Sequence, residues 1–205
     1  MRYSATHKAE TREKLLRSAG RMLRAKGPDG FAVAEVMKDV GLTHGGFYAH
    51  FKSKDALMAD ALVGIFTRLN ERYREALADL PPRPALATYI DYYVSATHRD
   101  NAAQGCPVTA LNSDMPRQSK KLRAVFDEGV RSMVVSLAKR IEDAGIDGDS
   151  EALAASVVSA MAGAVAVSRA VSDKALSDEI LETARASIKA RLGVNDAALS
   201  KGAGA

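Results

Sequence analysis

Residues 31–54 read FAVAEVMKDVGLTHGGFYAHFKSK, and this stretch decides the fold around it. Its first half repeats apolar residues at the spacing of a short amphipathic helix. Gly41 is suited to ending that helix as a C-cap residue. Thr43 has an N-cap side chain and opens a second short helix that we expect to end near Phe51. Two short helices around a tight glycine turn indicate a helix-turn-helix motif, whose second helix enters the major groove of DNA.

Two adjacent glycines stand in the second helix of this motif. Gly45 and Gly46 each cost a helix about 1 kcal/mol relative to alanine. Glycine is useful where a backbone must approach another molecule closely. Phe47 and Phe51 are one i,i+4 step apart and are expected to face the small core. The glycines therefore favour a helix that presents its backbone to a ligand.

The polar residues of the second helix are the candidate DNA contacts. His44 and Tyr48 lie on the stripe beside the core-facing phenylalanines, and His50 flanks that stripe. Lys54 lies in the first turn of the next helix, where a cation is unfavourable and indicates a compensating anion outside the protein. A metal site at His44 and His50 is not expected, because no Cys, Asp or Glu stands at ligand spacing. Further basic residues at the start of the first helix are Arg2, Lys8, Arg12 and Lys14.

The positive charge of the chain is concentrated near its N-terminus. The 205 residues carry a net charge of +4, of which residues 1–55 hold +5 and residues 56–205 hold −1. A basic end on a nearly neutral remainder indicates an anionic partner for that end. With 47% hydrophobic and 26% charged residues, the composition is that of a globular protein and excludes wholesale disorder.

The periodicity outside the motif is helical as well. No segment alternates with a period of two between hairpin turns, so we expect an all-α fold of about nine helices. Beyond the motif, the expected helices cover about 7–26, Ser53 to Pro81, Leu86 to Thr97, a short segment from Pro107, Pro116 to Gly145, 149–172 and 177–192.

Ala152 to Ser168 is a run of seventeen residues without a charge. It is short for a transmembrane helix, and its many Ala, Ser, Gly and Val residues would be driven only weakly into lipid. We therefore expect a buried or interface helix and no membrane partner. No apolar segment near residue 1 has the pattern of a secretory signal, which makes the cytoplasm the expected location.

The segment GLTHGGFYAHFKSKDAL at residues 41–57 resembles the TetR/AcrR family of bacterial transcriptional regulators. The likeness covers about the first sixty residues, and the remainder agrees only in helical architecture. The resemblance implies a DNA-binding domain over 1–53 and a ligand-binding and dimerisation domain over 54–192. Residues 193–205 hold little that can pack, which predicts a flexible tail.

The same resemblance assigns roles to residues of the motif. The positions that meet DNA phosphates are Thr43, Gly45, Tyr48, His50 and Lys54. His44 corresponds to a position that reads bases. Gly46 belongs to the same DNA-facing helix but has no side chain for a base contact. Ala32 stands where the family commonly has Ser or Thr, so a phosphate-binding hydroxyl is missing there.

The resemblance also implies a mechanism. We expect a repressor that binds a palindromic operator as a homodimer and is released by a small molecule that shifts its conformation. The last two helices are the expected dimer surface, through one stripe of apolar or small residues on each. The stripes are Ala154, Val157, Val158, Met161, Val165 and Ser168 on the first, and Ile180, Leu181, Ala184, Ile188 and Leu192 on the second.

For effector binding, the sequence offers three aromatic candidates and one cysteine. Tyr89, Tyr93 and Phe126 are candidates for lining an effector cavity, although such residues at helical spacing more often fill a core. Cys106 is the single cysteine, so no disulfide forms within the chain. It is either a small buried hydrophobe or, between Gly105 and Pro107 at a helix start, a thiol that senses oxidants or electrophiles.

Two other classes of protein stay open. An enzyme needs convergent titratable groups, but the sequence offers no Ser/His/Asp set, carboxylate pair or phosphate loop. No catalytic residue, cofactor or metal is therefore expected. A helical interaction protein without DNA binding leaves the basic N-terminal part and the two glycines unexplained.

Overall fold

The computed structural model describes residues 5–195. Within this range the chain forms helices and no strand, so the all-α prediction is confirmed. Its α-helices are α1 (Ala5–Lys26), α2 (Val33–Asp39), α3 (Lys54–Ala76), α4 (Pro82–Tyr93), α5 (Ala96–Asp100), α6 (Pro107–Leu111), α7 (Lys120–Asp143), α8 (Ser150–Ala170) and α9 (Lys174–Arg191). Three short 3-10 helices cover His44–Ala49, Ala102–Gln104 and Met115–Arg117.

The turn after α2 has the geometry that its glycine predicts. Gly41 has φ +73°. Its N–H donates to the carbonyl of Lys38 at 3.1 Å, and the N–H of Leu42 donates to the carbonyl of Met37 at 2.8 Å. This pair of bonds is a Schellman motif, which satisfies the last carbonyls of the helix. The next helix therefore starts in a new direction only three residues later.

Ion pairs and an aromatic core hold α1 against α2 and the turn. The carboxylate of Asp39 accepts from Ser18 Oγ and from the Arg21 guanidinium, both at 2.6 Å. The large buried side chains beneath the turn are Phe31, Val36, Met37, Phe47 and Phe51. The expected core positions of the two phenylalanines are confirmed, and their rings lie 5.9 Å apart.

Several helix boundaries differ from the expectation because capping side chains intervene. The single helix expected from Leu86 to Thr97 is divided into α4 and α5, since Ser95 Oγ accepts the N–H of His98 and starts a new helix. Helix α9 begins earlier than predicted, because Asp173 accepts the N–H groups of Ala175 and Leu176.

The chain divides into two compact units that are discontinuous in sequence. The first holds the described residues up to Leu69 together with Ala102–Gly129, and the second holds Asn70–Asn101 and the described residues from Val130. Helices α3 and α7 each contribute residues to both units. The expected boundary at residue 53 remains a prediction, since the units are defined by contacts and not by separate function.

Nine of the eleven residues expected to form the dimer surface are buried within the chain, and for those nine the prediction is wrong. The six predicted on α8 are all buried within the chain, and so are Leu181, Ile188 and Leu192 on α9. Helix α8 packs along α9 and against α5, which uses these stripes internally. Ile180 and Ala184 are half-buried. The expectation that the last two helices form the dimer surface stays a prediction, and it requires residues that are exposed on α8 and α9.

The apolar character of α8 exceeds what packing inside the chain requires. By length and composition it is able to cross a bilayer, as core helices of many proteins also are, and 33% of its apolar window is buried. Val167 is 51% exposed, and Leu176 at the start of α9 is 44% exposed. An apolar surface thus remains on this helix pair.

The flexible tail expected over 193–205 is wrong for its first residues, which are packed against the rest of the chain. Val194 is fully buried, and the Gly193 carbonyl accepts a hydrogen bond from Arg83 at 3.0 Å. The chain therefore remains packed after α9 ends at Arg191. Residues 196–205 of the expected tail lie outside the described residues.

Candidate nucleic-acid interface

The second helix of the motif is the 3-10 helix His44–Ala49, which we call the recognition turn. An α-helix was expected here, but two adjacent glycines weaken helix propagation and the six residues form the tighter form instead. Thr43 lies at the N-cap position, yet its hydroxyl makes no capping bond. That hydroxyl is exposed and available to another acceptor.

One side of the recognition turn is exposed and polar, while the other is anchored in the core. Thr43, His44 and Gly45 are exposed, and Tyr48 is 71% exposed. The Tyr48 ring packs edge-on against the buried Phe47 ring at 5.2 Å. The sequence-predicted contacts therefore share one surface, held by an aromatic anchor beneath it.

The two glycines of the recognition turn are not required by the fold. Neither Gly45 nor Gly46 has a positive φ. A Cβ atom on Gly45 would have no atom within 4 Å, and one on Gly46 would meet Met37 at 3.6 Å, an ordinary contact. Alanine would fit both positions and favour helix by about 1 kcal/mol. With glycine at both positions, the backbone stays accessible to an incoming molecule.

His50 stands half-buried at the end of the recognition turn, with an unusual environment. Its Nδ1 atom is buried and has no hydrogen-bond partner within the described part of the chain. Burial lowers the pKa of the imidazole, and the positive charges of Lys8 and Arg12 lower it further. The neutral form of the ring is therefore favoured beside two cations, and a nearby anion would favour the protonated form.

Lys54 is the first residue of α3, and Ser53 caps that helix through a 3.1 Å bond from the Ala56 N–H. The Lys54 ammonium lies 5.4 Å from the centre of the Phe31 ring. None of the ion pairs described within residues 5–195 includes Lys54. The head group is thus positioned by an aromatic face without being neutralised by a carboxylate.

Much of the basic charge of α1 is used inside the protein. Arg12 pairs with Asp60 at 2.5 Å and lies 4.5 Å from the centre of the Phe51 ring. Lys8 and Lys14 are exposed. Arg2 lies outside the described residues. The expected row of external cations on α1 is therefore reduced to its two lysines within the described range.

Cys106 lies in the same compact unit as the recognition turn. It is 5% exposed and occupies the N-cap position of α6. The Arg24 guanidinium of α1 donates to the carbonyl of neighbouring Gly105 at 2.9 Å. Burial, followed by the charge of Arg68, lowers the pKa of Arg24 to about 10, while Cys106 acts in the opposite direction. The thiol therefore lies in the field of a cation on α1.

The aromatic candidates for an effector cavity are divided between the two units. Tyr89 and Tyr93 are buried in the second unit with ring centres 6.2 Å apart, and Tyr73 contacts Tyr89 edge-on at 4.8 Å. Phe126 belongs to the first unit and meets Phe66 edge-on at 6.3 Å. Their expected role in effector binding stays a prediction.

A polar cleft of about 240 Å³ lies between α5 and the α8–α9 hairpin and was not foreseen. Arg99, 5% exposed at its side chain, pairs there with Asp100 at 2.7 Å and Asp178 at 2.5 Å. Arg169 donates to the main-chain carbonyls of His98 and Arg99. The charged groups lining the cleft thus bind one another and fasten α5 to the hairpin.

A helix-turn-helix motif with an exposed polar recognition turn defines the class of DNA-binding transcriptional regulators. Residues 15–61 match the family described as "Bacterial regulatory proteins, tetR family", and residues 82–185 match "Transcriptional regulator LmrA/YxaF-like, C-terminal domain". The chain therefore belongs to the TetR family of bacterial transcriptional regulators.

Curated relatives carry the same assignment. The chain is 24% identical over 136 residues to the HTH-type transcriptional repressor NemR of Escherichia coli K12, covering 65% of this chain and 68% of that protein. It is 23% identical over 158 residues to the HTH-type transcriptional regulator LmrA of Bacillus subtilis, covering 74% and 82%. The matched families and relatives are regulators and not enzymes.

Solved structures show the same fold. The reduced form of Escherichia coli NemR matches with a TM-score of 0.77 and 23% identity, over 88% of this chain and 95% of that one. A TetR-family regulator from Cytophaga hutchinsonii matches with a TM-score of 0.76 and 21% identity, over 89% and 95%. The fold of the family thus extends over most of the chain.

Proposed function

We propose that this regulator is a cytoplasmic repressor that binds a palindromic operator as a homodimer and is released by a small molecule. The exposed face of the recognition turn is the observation that carries the proposal. It joins polar side chains, bare glycine backbone and an aromatic anchor in the position where a helix-turn-helix protein meets the major groove. A relative that is named as a repressor, NemR, supports repression over activation.

The DNA contacts that we propose divide into two kinds. His44 reads base edges, while Thr43, Gly45, Tyr48, His50 and Lys54 contact phosphates. Gly46 allows close approach of the backbone. Phosphate contacts set affinity and register, and base contacts set specificity.

Binding to duplex DNA from the region upstream of its own coding sequence tests this proposal. Fluorescence anisotropy should show tighter binding to that duplex than to a random sequence of the same length. Lys54→Ala should weaken binding to both duplexes and lower the magnitude of the slope of log affinity against log salt by about 0.9 per protomer. Lys139→Ala is the control, because Lys139 is an exposed lysine paired with Asp143. Equal affinity for both duplexes would contradict the proposal.

The proposed dimer uses the exposed faces of α8 and α9. Family members function as dimers, and the unburied apolar surface around Val167 and Leu176 fits a contact with a second copy. A two-fold dimer presents two recognition turns to half-sites about 34–36 Å apart. A small molecule that prefers one conformation of the chain shifts the population toward a spacing that no longer fits the operator.

A second candidate is a regulator that responds to oxidants or electrophiles through Cys106. The contact between Arg24 of α1 and the carbonyl of Gly105 favours it, because that contact joins the segment around the thiol to the first helix of the DNA-binding motif. Modification of the thiol adds volume at a buried position, so neighbouring groups must move. The alternative of a small buried hydrophobe predicts no regulatory response.

Treatment with N-ethylmaleimide, followed by measurement of affinity for the upstream duplex, separates these two interpretations of Cys106. A sensor loses affinity after alkylation, and Cys106→Ser keeps it. If the wild-type protein is alkylated, as judged by mass spectrometry, and still binds DNA equally well, the sensor hypothesis is excluded.

A further inference from the structure

Residues 117–123 read RQSKKLR and form a second basic segment at the start of α7. It contains Arg117, Lys120, Lys121 and Arg123 and no acidic residue. Arg117 pairs with Asp114 at 2.9 Å. No ion pair described within residues 5–195 involves Lys120, Lys121 or Arg123, and all three are exposed. The segment therefore presents uncompensated positive charge far along the sequence from the helix-turn-helix motif.

A hydrogen bond brings this segment to the DNA-facing end of α3. Ser119 caps α7 by accepting the Leu122 N–H at 3.1 Å, and its hydroxyl donates to Asp55 Oδ1 at 2.7 Å. Asp55 directly follows Lys54 in the first turn of α3. The N-terminal ends of α3 and α7 thus lie side by side within the first compact unit.

The lysines at the N-terminal ends of α3 and α7 extend the surface that these two helix ends form. Side chains in an α-helix lean toward its N-terminus, so the lysines of the first turn of α7 reach past the helix end. Lys54 does the same on α3. No acidic side chain lies in the first turn of α7, where the helix dipole disfavours cations. Asp55 of α3 is the carboxylate placed at this helix end by its bond to Ser119, and none of the described ion pairs joins it to Lys54, Lys120 or Lys121. These lysines would therefore attract an external anion.

We infer that Lys120 and Lys121 bind the phosphate backbone of the operator outside the stretch read by the recognition turn. The partner is duplex DNA, because the surface is continuous with the proposed DNA interface and its charge complements phosphate. This inference rests on the proposed function. It adds a sequence-independent contact that lengthens the footprint on the flanking DNA.

The double variant K120A/K121A tests the inference on two upstream duplexes, one extended and one trimmed to the base pairs protected by the recognition turns. On the extended duplex the variant should lower the magnitude of the salt slope by about 1.8 per protomer. The affinity advantage of the wild type over the variant should then shrink by about tenfold per protomer between 50 and 200 mM salt, which is about a hundredfold for the dimer. On the trimmed duplex the two proteins should bind equally, and K120R/K121R should behave as wild type.

The controls separate two kinds of failure. K139A, which removes a lysine further along α7, should leave both slopes unchanged. If the wild type binds the upstream duplex and K120A/K121A has the same affinity and slope on both lengths, the inference fails and the proposed function stands. If the wild type binds no duplex with sequence preference, the proposed function itself fails. A variant that loses affinity equally on both duplexes would place the lysines inside the core footprint and overturn the flanking contact.

Discussion

At the scale of single residues, we expect His50 to couple DNA binding to proton uptake. In the free protein its pKa is lowered by burial and by Lys8 and Arg12 of α1, the latter paired with Asp60 of α3. A phosphate beside the ring would raise that pKa, so the bound state would hold a proton that the free state lacks. Affinity should then increase as the pH falls through the pKa of the bound state, by at most tenfold per pH unit for each protomer. Anisotropy titrations between pH 5.5 and 8 measure this slope.

The matched variant for this prediction is His50→Gln, which keeps a polar donor and cannot titrate in that range. Its affinity should vary less steeply with pH than that of the wild type. An unchanged slope in this variant would show that another group takes up the proton.

At the scale of elements, the crossing of α3 and α7 depends on a glycine. A Cβ atom on Gly129 would lie 2.0 Å from Cε2 of the buried Phe66 ring. Gly129→Ala should therefore lower the free energy of unfolding by about 1–3 kcal/mol despite the better helix propensity of alanine. Urea denaturation followed by circular dichroism measures the change.

Gly64→Ala on α3 is the control for this prediction. A Cβ atom there would meet only the guanidinium end of Arg68, at 3.0 Å, and that flexible group can shift. This variant should raise the free energy of unfolding by up to about 1 kcal/mol. A loss of stability at Gly64 as large as at Gly129 would argue against a specific clash with Phe66.

The sequence predicted those features of the elements that depend on neighbouring residues. The cap at Gly41 and the helix start at Ser53 follow from residue types at the helix ends themselves, and both were expected. The bond between Ser119 and Asp55 joins residues 64 apart, so no local pattern indicates it. Most residues predicted for the dimer surface are buried for a related reason. Periodicity shows which face of α8 is apolar, but not whether α9 of the same chain covers that face.

At the scale of the whole molecule, the proposed dimer uses apolar surface that a single chain leaves exposed around Val167. Val167→Glu places a charge on the exposed face of α8 and should shift the protein from dimer toward the 21.8 kDa monomer. Light scattering coupled to size-exclusion chromatography measures the mass. Affinity for a palindromic duplex should fall in parallel, because only a dimer occupies both half-sites.

The control for the dimer prediction is Val135→Glu on α7, where the valine is 56% exposed. That variant should keep the mass of the dimer. Loss of the dimer in both variants would indicate a general effect of added charge, and a dimer that survives Val167→Glu would exclude this part of α8 as the contact.

The discontinuity of the first compact unit has a consequence for how the protein is made. The recognition turn is synthesised early, but Gly105, which binds Arg24, and Ser119, which binds Asp55, follow much later in the chain. A nascent chain that has emerged only through α3 lacks both partners. Such long-range contacts form slowly, since a large loop must close before they stabilise the fold. The helix-turn-helix segment is thus translated before α6 and α7, and the contacts with Gly105 and Ser119 complete its packing only after the ribosome has passed α6 and the start of α7.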